Sequence, residues 1–178
     1  MKRLIMCEGP NELTLINILL ENDALVFSED DLLGLTAYHA RQIKTSTQVQ
    51  TALNLYDRND VTVMRVGDKQ TDRLVIPADF KGKICDVEKY CTLPELEMLL
   101  IISENLVKQY EKVKSTVKPK AFAKEHIRCN RKRYDNSSRF YRDYYGEDCG
   151  KLVHAIREYK RIRGSHEKDE LYLADILK

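Results

Sequence analysis

The residues best placed to do chemistry in this chain are carboxylates at the ends of apolar runs. Leu4-Ile5-Met6-Cys7 stops at Glu8-Gly9-Pro10-Asn11-Glu12, where an amphipathic helix begins. Glu8 therefore ends a buried strand beside a helix start, the place where open α/β sheets hold their ligands, and Gly9 permits the tight turn. Val61 to Val66 ends the same way at Gly67-Asp68, with Asp72 four residues beyond Asp68. Glu97 sits among Leu96, Met98, Leu99, Ile101 and Ile102, where a charge needs a partner or a metal. Carboxylates arriving from separate strand and helix ends suit one or two Mg²⁺ or Mn²⁺ ions, which prefer oxygen ligands and complete their shell with waters and substrate phosphates. Such ions activate water and neutralise charge at a phosphodiester, and Glu8 could alternatively move a proton. Each residue also has a plainer reading. Glu8 and Glu97 would suit a helix dipole, and Gly67-Asp68-Lys69-Gln70 a simple turn.

The second chemical feature is positive. Residues 1–104 carry net charge −6 and residues 105–178 net +8, within an overall +2. Arg128, Arg131, Lys132 and Arg133 fall within six residues, and Arg139 and Arg142 follow among Phe140, Tyr141, Tyr144 and Tyr145. Cations interleaved with aromatic rings can hold phosphates and stack unpaired bases, which makes nucleic acid the expected partner. The helical spacing of the rings equally suits a core.

Cys7-Glu8-Gly9-Pro10-Asn11-Glu12 resembles the motif "hydrophobic, Glu, Gly, two variable residues, Glu" that opens Toprim domains, and adds Glu12 to the candidate metal ligands. Pro94-Glu95-Leu96-Glu97-Met98-Leu99-Leu100 is similar to the "Pro, two variable residues, Glu, apolar run" motif of small Toprim-like proteins of the RloB type, relatives of OLD-family nucleases. Toprim domains carry two aspartates two positions apart after a later strand. Here Asp68 and Asp72 are four apart, a departure from that pattern. The resemblance implies a Toprim-like Rossmannoid sheet flanked by helices and an Mg²⁺- or Mn²⁺-dependent nuclease acting on DNA or RNA. Glu8, Asp68 and Glu97 would be catalytic, and Glu8, Glu12, Asp68, Asp72 and Glu97 would hold metal. It further suggests an effector of bacterial or phage defence, with an activating protein partner. The rival expectation is a non-catalytic nucleic-acid-binding or protein-interaction subunit whose metal site is degenerate.

The elements needed to position these groups are legible as periodicities. Lys2 to Cys7 reads as strand one, Asn11 to Glu21 as a helix with Leu15, Ile16 and Leu19 inward, Ala24 to Phe27 as strand two, and Ser28 as the cap of a short helix through Leu35. Gln48 to Tyr56 reads as a helix, Val61 to Val66 as a central strand, Leu74 to Ile76 and Lys83 to Val87 as further strands, and Thr92 with Glu95 as a capping box. Helices are expected over residues 106–114, 118–126, around Phe140 to Tyr145 with Gly146 as cap, from Leu152 to Arg163, and from Glu170 to Leu177. The division is thus an α/β domain over 1–105 and a basic, mainly helical extension over 106–178.

Composition narrows the class. The apolar runs are too short for a membrane span, and Met1-Lys2-Arg3 with four apolar residues is too short for a secretory leader, so a cytoplasmic protein is expected. Five cysteines without two-residue spacing argue for reduced thiols rather than structural zinc. Seven glycines include no phosphate-binding loop of the nucleotide-hydrolase type. His126, nearest the basic cluster, is either a phosphate-assisting side chain or a solvated or helix-capping one.

Overall fold

The computed structural model describes residues 1–67, 73–92, 96–163 and 171–178. Five parallel strands form its sheet, in the order β2-β1-β3-β4-β7: β1 is Lys2–Cys7, β2 Tyr38–His39, β3 Val61–Gly67, β4 Ile84–Cys91 and β7 Leu171–Tyr172. The two remaining strands, β5 (Arg128–Cys129) and β6 (Lys132–Arg133), make a separate antiparallel hairpin. Winding starts at β1, goes first to one side and then to the other. The reversal leaves a crevice outside the carboxyl ends of β1 and β3, where such sheets bind ligands.

Strands β1 and β3 read as unbroken apolar runs because both their faces are covered. Leu4 and Met6 pack with Val61 and Val63 on one face, against Val49 and Leu53 of α2 (Thr47–Asn54) and against Phe80. Ile5, Cys7, Met64 and Val66 face the other way, into a larger core with α1 (Pro10–Glu21), α3 (Glu97–Ser103), α5 (Pro119–His126), α6 (Ser138–Tyr145) and α7 (Cys149–Arg163). Helix α4 (Val107–Glu111) is separated from α3 by Asn105, whose φ of 58° is a left-handed turn that asparagine tolerates. The helical residues after 105 are thus part of the same core as α1 and α3, and β7 adds a fifth strand to the sheet.

Three expected elements differ. Ala24 to Phe27 is not a strand of the sheet: Leu25 makes only an isolated bridge to Leu177, Val26 N–H donates to the Ile176 carbonyl, and Val26 is 56% exposed. The place beside β1 is taken by Tyr38–His39, whose two residues carry no periodicity to read. Leu74 to Ile76 is irregular, its backbone satisfied by one side chain: Gln42 Nε2 donates to the Arg73 carbonyl (3.0 Å) and Val75 N–H donates to Gln42 Oε1 (3.0 Å). At the chain end, Leu171–Tyr172 is strand and Leu173–Ile176 a 3₁₀ turn, not a helix. Ser28 does open the predicted cap, but over two successive 3₁₀ turns, Glu29–Asp31 and Leu33–Leu35. Gly146 follows α6 in a right-handed conformation, needed for closeness rather than φ, since a Cβ there would stand 2.5 Å from the Arg142 carbonyl.

Among the described residues no helix is long and apolar enough to cross a membrane. Ile5, fully buried in the central strand, tests the core directly. Ile5→Ala should lower unfolding free energy by about 2–5 kcal/mol in urea titration, whereas Leu55→Ala, on an 80% exposed side chain, should change it little.

Candidate functional site

Glu8 follows β1 directly, and its backbone N–H continues the ladder to the Val66 carbonyl (2.9 Å). The side chain is 6% exposed and pairs with Arg65 (Nη2 to Oε1, 3.3 Å), itself only 4% exposed. Arg65 and Gly67 lie on the same side of β3 as Val61 and Val63, the side that faces α2. A Cβ on Gly67 would stand 2.3 Å from the Glu8 carboxyl carbon, so only glycine leaves room for this carboxylate. Arg41 Nε also donates to the Glu8 carbonyl (3.4 Å). Burying two charges is tolerable only because each answers the other.

Glu12 and Glu97 lie on the opposite side of the strand ends. A polar cavity of about 270 Å³ is lined by Asn11, Glu12, Thr92, Leu96, Glu97, Lys120, Asn136 and Tyr141. Glu12 comes from the first turn of α1, which Pro10 opens, and its charge reaches back to Cys7. Burial foremost, with Glu12 adding to it, pushes the Cys7 thiol far above its ordinary pKa, so Cys7 is no nucleophile. Thr92 follows β4, with its N–H on the Gly67 carbonyl (3.1 Å) and its hydroxyl buried without a hydrogen-bond partner among the described residues.

Glu97 opens α3 and is 6% exposed. Tyr134, just after the basic hairpin, donates its hydroxyl proton to Glu97 Oε1 at 2.7 Å. Asn136 Oδ1 stands 2.9 Å from the same hydroxyl, but a tyrosine has one proton and the shorter contact to a carboxylate is the stronger acceptor. Tyr141 reaches the Tyr134 oxygen at 3.0 Å. Burial raises the pKa of both phenols well beyond the ordinary range, so both remain protonated donors at neutral pH. The network continues to α1. Asn11 Nδ2 donates to Asn136 Oδ1 (3.2 Å) and to the Asn136 carbonyl (3.3 Å), and Ser138 Oγ donates to Asn11 Oδ1 (3.0 Å).

The structure thus brings Glu12 and Glu97 to one cavity and sets Glu8 apart, in an ion pair on the other face. Asp68, Asp72 and the Glu95 of the expected capping box lie outside the described residues. Among the described residues no three of His, Cys, Asp and Glu are gathered as a metal-holding group. The cavity is lined by two carboxylates with amide and hydroxyl groups, hard oxygen donors of the type that Mg²⁺ prefers.

The basic residues divide sharply. Arg142 is a bidentate partner of Glu21 on α1, one contact measuring 2.9 Å, and that guanidinium holds the Glu21 carboxyl below its ordinary pKa. Arg139 lies 3.8 Å from Asp143. Arg128, Arg131, Lys132 and Arg133 are all exposed on the hairpin. Phe140, Tyr141 and Tyr145 are buried, as their spacing allowed. His126 points its Nδ1 at the Phe122 carbonyl (3.0 Å) and stacks on the Phe122 ring, a helix-end arrangement. Lys120, Tyr134 and Asn136 were not singled out by sequence. A tyrosine after a basic run and an Asp-Asn turn give no sign that they reach residues 37 and 125 positions away.

Compared with known proteins, the chain matches no family model, no curated protein and no solved structure.

The Glu8–Arg65 pair makes a sharp expectation. Arg65→Met should destabilise the protein by about 3–5 kcal/mol, because Glu8 is left buried without its partner. Adding Glu8→Gln to that variant should recover much of the loss, read as a double-mutant cycle in denaturant.

Proposed function

We propose that this chain is a divalent-metal-dependent phosphodiesterase acting on nucleic acid, centred on the cavity that Glu12 and Glu97 share. The observation that carries the reading is that these two carboxylates, from different elements, line one polar cavity beside the sheet's carboxyl edge. Glu12 and Glu97 would hold Mg²⁺ or Mn²⁺, with the Asn11 and Asn136 amides near enough to orient bound waters. Bound there, the ion would lower the pKa of water and neutralise charge on the phosphodiester.

The chain's own residues supply the rest. Tyr134, kept protonated by burial, fixes Glu97 in one orientation, as outer hydrogen bonds do for metal ligands. Lys120 on the cavity wall offers a cation for a phosphate oxygen. Glu8, oriented by Arg65, would act from the far side of the strand ends, and the resemblance to Toprim-like proteins gives both it and Asp68 proton-transfer or ligand roles. That resemblance also supports a role as a defence nuclease switched on by a protein partner.

A second reading is favoured by one observation. The Glu8 carboxylate is already answered by Arg65, which suits a nucleic-acid-binding subunit with a defective metal site.

Calorimetric titration of Mn²⁺ separates the two. In the nuclease reading the wild type binds Mn²⁺ and nicks plasmid DNA in its presence, and Glu97→Gln and Glu12→Gln each abolish both while thermal unfolding is retained. Tyr134→Phe should weaken Mn²⁺ binding by about 10–100-fold. No Mn²⁺ binding by a wild type that still binds nucleic acid would establish the second reading instead.

A further inference from the structure

We propose that the β5–β6 hairpin is a preorganised ridge for the phosphate backbone of a double-stranded nucleic acid, bound without regard to sequence. The proposal deepens the nuclease reading by naming its substrate class, but the docking itself does not depend on the metal cavity.

The hairpin holds charge that the protein leaves unanswered. Several cations on the helices are matched: Arg142 by Glu21, Lys151 by Glu104, Lys160 by Asp175 and Arg161 by Glu158. The side chains of Arg128, Arg131 and Arg133 have no ion-pair or hydrogen-bond partner among the described residues, and Lys132 feels only the charge of nearby Asp135. Arg128 and Arg133 are direct cross-strand partners. Like charges in that position repel and weaken the pairing.

The tip adds a further cost. Asn130 and Arg131 form the two-residue loop with φ values of 48° and 68°, the positive pair that a type I′ turn requires. Asparagine accepts this conformation, but an arginine there is strained where glycine would not be. Exposed unpaired cations, a like-charge pair and a strained arginine all oppose folding of this hairpin alone. A polyanion laid along it relieves the repulsion and uses the arginine.

The hairpin is also firmly held. Tyr134 N–H bonds to the Ile127 carbonyl (3.1 Å) at its base, the Tyr134 hydroxyl to Glu97, and Asn136 to Asn11. These contacts root the base of the ridge in residues at the cavity.

The neighbouring aromatic residues decide between duplex and single strand. Proteins that hold single strands stack bases on exposed rings. Tyr134, Phe140, Tyr141 and Tyr145 are all buried in the core. Tyr144 stacks on Phe140 with ring centroids 5.9 Å apart and is covered by the Lys151 ammonium at 4.0 Å. What the ridge presents is positive charge, which positions phosphates and carries no base readout.

The test is fluorescence anisotropy of the full chain with a short labelled duplex DNA and with one of its strands, in EDTA, over a range of NaCl concentrations. The duplex should bind more tightly than the single strand at every salt concentration. Arg131→Gly should make the salt slope shallower by about 0.9, one phosphate contact, with thermal stability equal or higher because the strained residue is gone. Arg128→Ser, Lys132→Ser and Arg133→Ser together with Arg131→Gly should remove most of the salt-dependent affinity. Tighter binding of the single strand, an unchanged salt slope in these variants, or displacement of the duplex by polyglutamate at equal charge would each overturn the proposal. Duplex binding in EDTA with no cleavage once excess Mn²⁺ is added would refute the nuclease reading alone, whereas cleavage by hairpin variants with unchanged affinity would refute the ridge alone.

Discussion

A carboxylate taken out of water must find a donor, and among the described residues two are buried, each answered from far along the sequence. Glu8 meets Arg65 across the β1–β3 boundary, and Glu97 meets Tyr134 from the segment after the basic hairpin. An unanswered buried charge costs several kcal/mol, comparable to the net stability of a domain of this size. The first contact therefore pins the turn after β1 over β3 and requires glycine at position 67. The second ties α3 to the hairpin segment.

The basic C-terminal residues are built onto this frame through polar contacts at α1 as well as through shared core. Asn11 joins the turn at Asn136 to the first helix, and Glu21 grips Arg142 at that helix's other end. The opposite charges of the two sequence halves are partly spent in such contacts, while Arg128, Arg131, Lys132 and Arg133 stay exposed on the hairpin. The polar cavity sits where α1, α3, α5 and α6 meet, so its walls come from both halves of the chain.

Much of the fold was legible because burial on both faces leaves apolar runs that admit few alternatives, as in β1 and β3. Glu97 was legible as a charge that needed a partner. The partner was not, since nothing local ties Tyr134 to α3. Glu8 was found from its place at a strand end, but its turn toward the α2 face depends on Arg65, which reads in sequence only as a polar interruption of a strand. Ala24 to Phe27 had strand composition yet lost its place in the sheet to Tyr38–His39, because pairing is decided by what can reach β1 and not by local propensity. The six residues from Arg128 to Arg133 read as a cationic loop. Their hairpin depends on left-handed backbone at Asn130 and Arg131, which an arginine does not advertise.

The central claim is that Glu12 and Glu97 form a metal- and phosphate-binding centre separate from the Glu8–Arg65 pair. Anomalous diffraction from crystals soaked in Mn²⁺ tests it most directly. The account predicts a peak within about 2.0–2.3 Å of carboxylate oxygens of both Glu12 and Glu97, with the Glu8–Arg65 contact intact. A peak on Glu8 with Arg65 displaced, or no peak in the cavity at saturating Mn²⁺, would contradict it.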